Sequence, residues 1–176
     1  NTPFPFSSNY DTLYPDLLKG VNISLRAVPV RTTMSILECI LIDATENEIK
    51  LTSNDMELGI ETRVNGDILE KGKIALDAKF LAEILRKLPE SEVTIETDNN
   101  YVATITCEKF VFTIPGKDGD DFSYLPIVER DKSIVLSQFN LKEVIRQTIF
   151  SIGDNESNKI MTGELFEVEG DVLKVV

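Results

Sequence analysis

A pattern that recurs in one register leaves few folds open to a chain. Here the stretch from Leu17 to Thr52 reads as an amphipathic helix, a short polar loop and a β-hairpin. It recurs from Leu141 to Val176, 124 residues later at both ends and without a gap. In the helix, Leu17, Val21, Leu25 and Val28 stand against Leu141, Ile145, Ile149 and Ile152. In the hairpin, Ile36 and Leu37 stand against Ile160 and Met161, Leu41 and Ile42 against Leu165 and Phe166, and Ile49 and Leu51 against Leu173 and Val175. Few residues are identical, yet helix face and strand pattern keep step. That is the mark of a duplicated domain.

The rest of the chain fills in the first copy. Asn1 to Pro15, interrupted by Pro3, Pro5 and Pro15, reads as irregular. Asp16 is expected to cap a helix running to about Val28, with Gly20 weakening it by about 1 kcal/mol relative to alanine. Pro29 to Ser35 is a loop carrying Arg31, and Ile36–Asp43 with Glu48–Asn54 makes the hairpin. Glu57–Val64 alternates as a half-buried strand with Leu58, Ile60 and Val64 inward, and Lys73–Leu76 is a short strand. Asp77 caps a second helix, Ala78 to Leu88, whose apolar side holds Phe80, Leu81, Ile84, Leu85 and Leu88. Three period-2 strands follow at Glu92–Thr97, Tyr101–Cys107 and Lys109–Ile114. Pro115–Leu125 reads as a loop, Pro126–Lys132 as a linker and Ser133–Leu136 as a strand. The expected class is α+β, a repeated domain of antiparallel sheets with two helices, its second copy truncated after one helix and a hairpin. The expected divisions are residues 1–15, 16–130 and 131–176.

The net charge of −12 argues by itself against a nucleic-acid partner. Charge on one face can still oppose the total, so the placement of the 18 Lys and Arg residues matters. Arg26 with Arg31, Lys79 with Arg86 and Lys87, and Lys142 with Arg146 all fall on a helix or the loop after it. Asp43, Glu46, Asp55, Glu57, Glu61, Asp67 and Glu70 fall on hairpins and strand turns. Helices sharing one face would make that face locally basic; ordinary solvated helix faces explain these residues equally well. There is no histidine, which removes the commonest general base and metal ligand. Cys39 and Cys107 read as reduced, buried thiols. Asp118, Asp120 and Asp121 lack the ligand ladder of a calcium loop, and Gly116-Lys117 lacks the spacing of a phosphate loop. No catalytic constellation, cofactor or metal is expected. No apolar run is long enough for a membrane span, and no signal-peptide pattern is visible.

Five strings, in one order, carry a family resemblance. They are Arg31-Thr32-Thr33-Met34-Ser35-Ile36-Leu37, Leu51-Thr52-Ser53-Asn54-Asp55-Met56-Glu57-Leu58, Arg86-Lys87-Leu88-Pro89, Asp121-Phe122-Ser123-Tyr124-Leu125-Pro126, and Thr162-Gly163-Glu164-Leu165-Phe166-Glu167. From about Asp16 to Val176 the chain resembles the bacterial DNA polymerase III beta subunits, the sliding clamps. The resemblance implies a DNA-clamp fold with three domain copies per subunit and a homodimeric ring around double-stranded DNA. It implies a cytoplasmic, non-catalytic processivity factor that tethers the replicative polymerase and takes polymerase and clamp-loader peptide tails. By the same resemblance, Arg31, Lys79, Asn155, Lys159 and Ile160 stand at DNA-contact positions, joined by the helix-borne Arg86, Lys142 and Arg146. Phe112 and Ile114 match the subunit-interface pair, though an ordinary sheet core accounts for each as well. Met161 matches a residue of the peptide groove. Asn1–Pro15 is unlike the family's first strand, and the chain ends short of the third domain, so it is expected to be a fragment unable to close a ring. The alternative is a protein-interaction module on the same duplicated fold, without DNA.

Overall fold

Helix α1 spans Leu13–Ser24 and tightens into a 3-10 turn at Leu25–Ala27. It starts earlier than the sequence suggested. Pro15 is tolerated because a first-turn residue has no intrahelical N–H partner to lose. Asp16 is therefore inside the first turn, where a carboxylate favours the helix dipole, and it accepts from Asn65 Nδ2 at 2.8 Å. Leu17 and Val21 are fully buried on one side of the helix. Gly20 lies on that side too, where an added Cβ would run into Val64 and Leu51. The glycine lets the helix lie close on the sheet, a compensation for its poor helix propensity.

The computed structural model describes residues 5–7, 13–123, 133–153 and 159–176. The chain divides into two compact units, Asn1–Pro126 and Ile127–Val176. In the first, strands β1 (Pro5–Ser7), β2 (Cys39–Asp43), β3 (Ile49–Asn54), β4 (Gly59–Val64), β5 (Asp67–Ile68), β6 (Lys73–Asp77), β7 (Thr94–Thr97), β8 (Val102–Cys107) and β9 (Phe110–Asp118) form one antiparallel array. Their order is β4-β3-β2-β6-β9-β8-β7-β1-β5. Strand β9 joins the two halves. Phe110–Pro115 pairs with β8, and Gly116–Asp118 pairs with β6. Alternation sorts the side chains: Ile40, Ile42, Ile74 and Leu76 join Leu17, Val21, Leu81 and Leu85 in the helix-side core. Leu41 and Ala75 point the other way, under Phe122. Helix α2 (Ala78–Lys87) begins where Asp77 accepts from the Phe80 N–H at 2.7 Å. Cys39 and Cys107 are free and buried, and burial pushes both thiols up.

Four sequence expectations are corrected here. Pro5–Ser7 is a strand, placed between β5 and β7, because a three-residue strand can be held by its neighbours whatever its own propensity. Pro115 to Asp118 continues β9 instead of opening a loop. Leu58 and Phe80 are not core residues; both are about half exposed. Ser133–Leu136 is exposed and forms no strand, lacking a partner among the described residues. The linker expected at 126–132 lies outside the described residues.

The second unit repeats the first copy's opening elements in register. Helix α3 (Gln138–Thr148) leads into 3-10 turns at Ile149–Ser151 and Lys159–Thr162, and then into strands β10 (Phe166–Glu169) and β11 (Val172–Val175). The two 3-10 turns stand 124 residues after those at Leu25–Ala27 and Ser35–Glu38. The pairs Ile42↔Leu51 and Asp43↔Lys50 recur as Phe166↔Val175 and Glu167↔Lys174. Burial does not repeat: no residue of α3 is buried.

Candidate nucleic-acid interface

The outward stripe of α1 and its closing 3-10 turn carries Lys19, Asn22 and Arg26, spaced so that they fall on one face away from Leu17 and Val21. On α2, Lys79, Glu83, Arg86 and Lys87 are exposed, while Leu81, Ala82, Ile84 and Leu85 are buried. The two helices meet. Tyr14 on α1 donates its hydroxyl to the Leu85 and Leu88 carbonyls at 2.8 and 3.1 Å. Arg86 Nη2 donates to Asn22 Oδ1 at 2.7 Å across the seam. A shallow groove beside α1 is lined by Leu18, Lys19, Asn22, Ile23, Arg26 and Glu90.

Helix electrostatics separates these cations. Arg86 and Lys87 occupy the last turn of α2, where positive charge favours the dipole and needs no further reason. Lys79 sits in the first turn, where positive charge opposes the dipole. Its placement costs stability of about 0.3–1 kcal/mol and therefore calls for another role. Arg31 lies in the loop between the two 3-10 turns. Thr32 Oγ1 accepts from the Met34 N–H at 3.0 Å there, and the Arg31 side chain is exposed.

Four cations on the strands and their turns are neutralised locally, while Lys71 donates to Asn47, Lys117 to the Ser35 carbonyl, and Lys109 lies over the Phe110 ring. Lys50 pairs with Glu46 at 2.7 Å, Arg63 with Glu48 at 3.1 Å, Lys73 with Asp120, and Lys174 with Glu167 at 2.9 Å. The Glu46 contact also pushes the Lys50 ammonium up. Lys19, Arg26, Arg31, Lys79 and Lys87 form no ion pair among the described residues. These five helix-side and loop cations are thus not engaged by carboxylates. The Asp118 loop is likewise committed internally: Asp118 accepts from the Tyr101 hydroxyl at 2.5 Å and from the Asp120 N–H at 2.9 Å. Among the described residues no group of three His, Cys, Asp or Glu side chains is placed to hold a metal. No helix among them is long and apolar enough to cross a membrane.

The structure brings Arg86, together with Asn22, onto a surface with Lys19 and Arg26. In the second unit, Lys142 and Arg146 are exposed on α3, and Arg146 is held by Glu143 at 2.8 Å. Ile160 is 88% exposed and Met161 is 59% exposed, both on the second 3-10 turn. Asn155 and the side chain of Lys159 lie outside the described residues. The interface pair separates. Ile114 is 1% exposed, in register with Ala103, and packs in the core. Phe112 packs against the same core but is half-buried. The outward apolar residues of this strand are Phe110 and Val111. Asn22 is the residue that sequence reading passed over, since an uncharged amide gives no signal until its partner is known.

Residues 14–126 match the family model described as the DNA polymerase III beta subunit, N-terminal domain. The chain is 38% identical over 164 residues to the beta sliding clamp of Halalkalibacterium halodurans, covering 89% of this chain and 43% of that protein. It is 36% identical over 161 residues to the beta sliding clamp of Bacillus subtilis, covering 87% and 43%. A crystal structure assigned to a DNA polymerase III beta subunit of Eubacterium rectale superposes with a TM-score of 0.90 at 64% identity, over 98% of this chain and 46% of that one. The DNA polymerase sliding clamp of Bacillus subtilis gives 0.88 at 32% identity, over 98% and 46%. This chain therefore spans a little under half the length of the proteins it matches. With the family model covering most of the first unit and the clamp relatives extending through the second, the chain belongs to the DNA polymerase III beta subunit family.

Proposed function

We propose that this chain supplies the first domain and the opening of the second in a sliding clamp, a non-catalytic ring that encircles duplex DNA and tethers the replicative polymerase. The observation that carries this reading is the cluster of exposed cations without an ion pair on α1, its closing 3-10 turn, α2 and the Arg31 loop: Lys19, Arg26, Arg31, Lys79 and Lys87. Arg31, Lys79 and Arg86 would meet backbone phosphates from the first unit. Lys142, Arg146, Asn155, Lys159 and Ile160 are the second unit's candidates, and Met161 is the candidate for a groove that takes peptide tails of polymerase and loader. Homodimer contact fits the Phe110–Pro115 half of β9: it pairs with β8 on one edge, and no described strand pairs with its other edge. Phe112 stays in that candidate interface, beside Phe110 and Val111. A handful of phosphate contacts gives weak, salt-sensitive binding without sequence preference, with dissociation constants of about 10⁻⁴–10⁻⁶ M. Weak contact suits a ring that slides, because closure of the ring supplies retention.

Duplex binding by this chain, followed by fluorescence anisotropy across a salt series, tests the reading. Binding should be independent of DNA sequence, and Arg31→Ala and Lys79→Ala should each reduce the log–log salt slope by about 0.9. Absence of binding at low salt, or slopes untouched by both substitutions, would favour a protein-interaction module that does not use DNA.

A further inference from the structure

The bond between Arg86 and Asn22 is a helix-to-helix contact on the exposed side of the first unit, away from the packed core. Arginine's planar guanidinium carries five donors, so engaging one on an amide oxygen leaves four and fixes the plane that presents them. Asn22 accepts without adding negative charge, unlike the carboxylates that hold Lys50, Arg63 and Lys73. The guanidinium is thus oriented while its charge stays free. Lys19 on α1 and Arg26 on the 3-10 turn that ends it lie about one turn to either side of Asn22, and all three line the same groove. Glu90 is the one carboxylate in that lining.

We propose that Asn22 is a positioning residue which holds Arg86 as a phosphate fork across the α1–α2 seam, with Lys19 and Arg26 as flanking phosphate contacts. The inference rests on the duplex-binding reading of this face and adds three residues to it. A fork differs from a loose charge in its geometry: lysine at the same place keeps the charge and loses the planar pair of donors.

The test is a double-mutant cycle on the full chain, with duplex affinity and salt slope read together. Asn22→Ala and Arg86→Lys should each weaken duplex binding about threefold to tenfold, the change expected for one net hydrogen bond, while leaving the salt slope in place. Combined, they should cost no more than either alone, because the fork is already lost. Lys19→Ala should instead lower the slope by about 0.9. Thermal unfolding of Asn22→Ala should match that of the parent, which separates positioning from a structural defect. Additive losses, or an Asn22→Ala variant that binds like the parent, would overturn the fork while the effects of Arg31→Ala and Lys79→Ala leave the wider reading standing. A parent chain that binds no duplex would overturn both.

Discussion

A methyl group added at Gly20 would lie 2.8 Å from Val64 Cγ2 and 3.0 Å from Leu51 Cδ1, both buried side chains. Two effects compete there. Alanine is the better helix former by about 1 kcal/mol, and overpacking a well-filled core costs about 1–3 kcal/mol. Packing should win, so Gly20→Ala is expected to destabilise the first unit by up to about 2 kcal/mol in urea unfolding. A gain in stability would mean that α1 can lift off the sheet without loss. The same residue shows what a sequence can disclose. The stripe Leu17, Val21, Leu25 and Val28 is visible as spacing, so the helix and its buried face were legible. The closeness of Val64, 44 residues away, is not encoded in any local pattern, and glycine there looked like a defect. Lys79 and Asn22 divide in the same way: a cation can be read from the sequence, whereas an amide acquires a role through Arg86 alone.

At the scale of an element, β9 decides the shape of the first unit. Its Pro115-Gly116 pair reads locally as a strand breaker. In the fold, Pro115 stands at the end of the β8 pairing, opposite Val102, and Gly116 fits against Ile74 and Leu76 of β6 where a Cβ would collide. Both residues are thus placed where the strand changes partner, which is a tertiary fact that composition misreads as a loop. Tyr101 ties this change of partner down. Its carbonyl accepts from the Gly116 N–H at 2.7 Å and its hydroxyl donates to Asp118 at 2.5 Å. That hydroxyl, then the Asp120 N–H, holds the Asp118 carboxyl below its usual range. A carboxyl with a lowered folded-state pKa contributes stability above its unfolded value, about 3.9, and loses it as pH falls through the folded value. Asp118→Asn should therefore melt lower than the parent at pH 7. It should also show a smaller drop in Tm between pH 7 and pH 3. An unchanged drop would mean that the Tyr101 contact does not contribute to folding.

For the whole molecule, the duplication separates what a helix owes to its own sequence from what it owes to its surroundings. Helices α1 and α3 occupy equivalent places, end in the same kind of 3-10 turn and carry apolar residues at matching positions. Ser137 even gives α3 an N-cap, accepting from the Asn140 N–H at 3.1 Å. Yet Leu17 and Val21 are fully buried, whereas Leu141 and Ile145 are half-buried and Ile149 is 54% exposed. A helix of this length has marginal stability by itself, and burial of an apolar face supplies most of what holds it in a protein. Hydrogen exchange should therefore divide the two copies. Amides of α1 should open only with the first unit's core, near its global unfolding free energy. Those of α3 should exchange by local opening, at least about tenfold faster, which corresponds to roughly 1.4 kcal/mol less protection. Mass spectrometry of peptides covering residues 13–27 and 137–151 of this 176-residue chain makes the comparison within one sample. Equal protection would show that the second unit draws its stability from something other than buried apolar area.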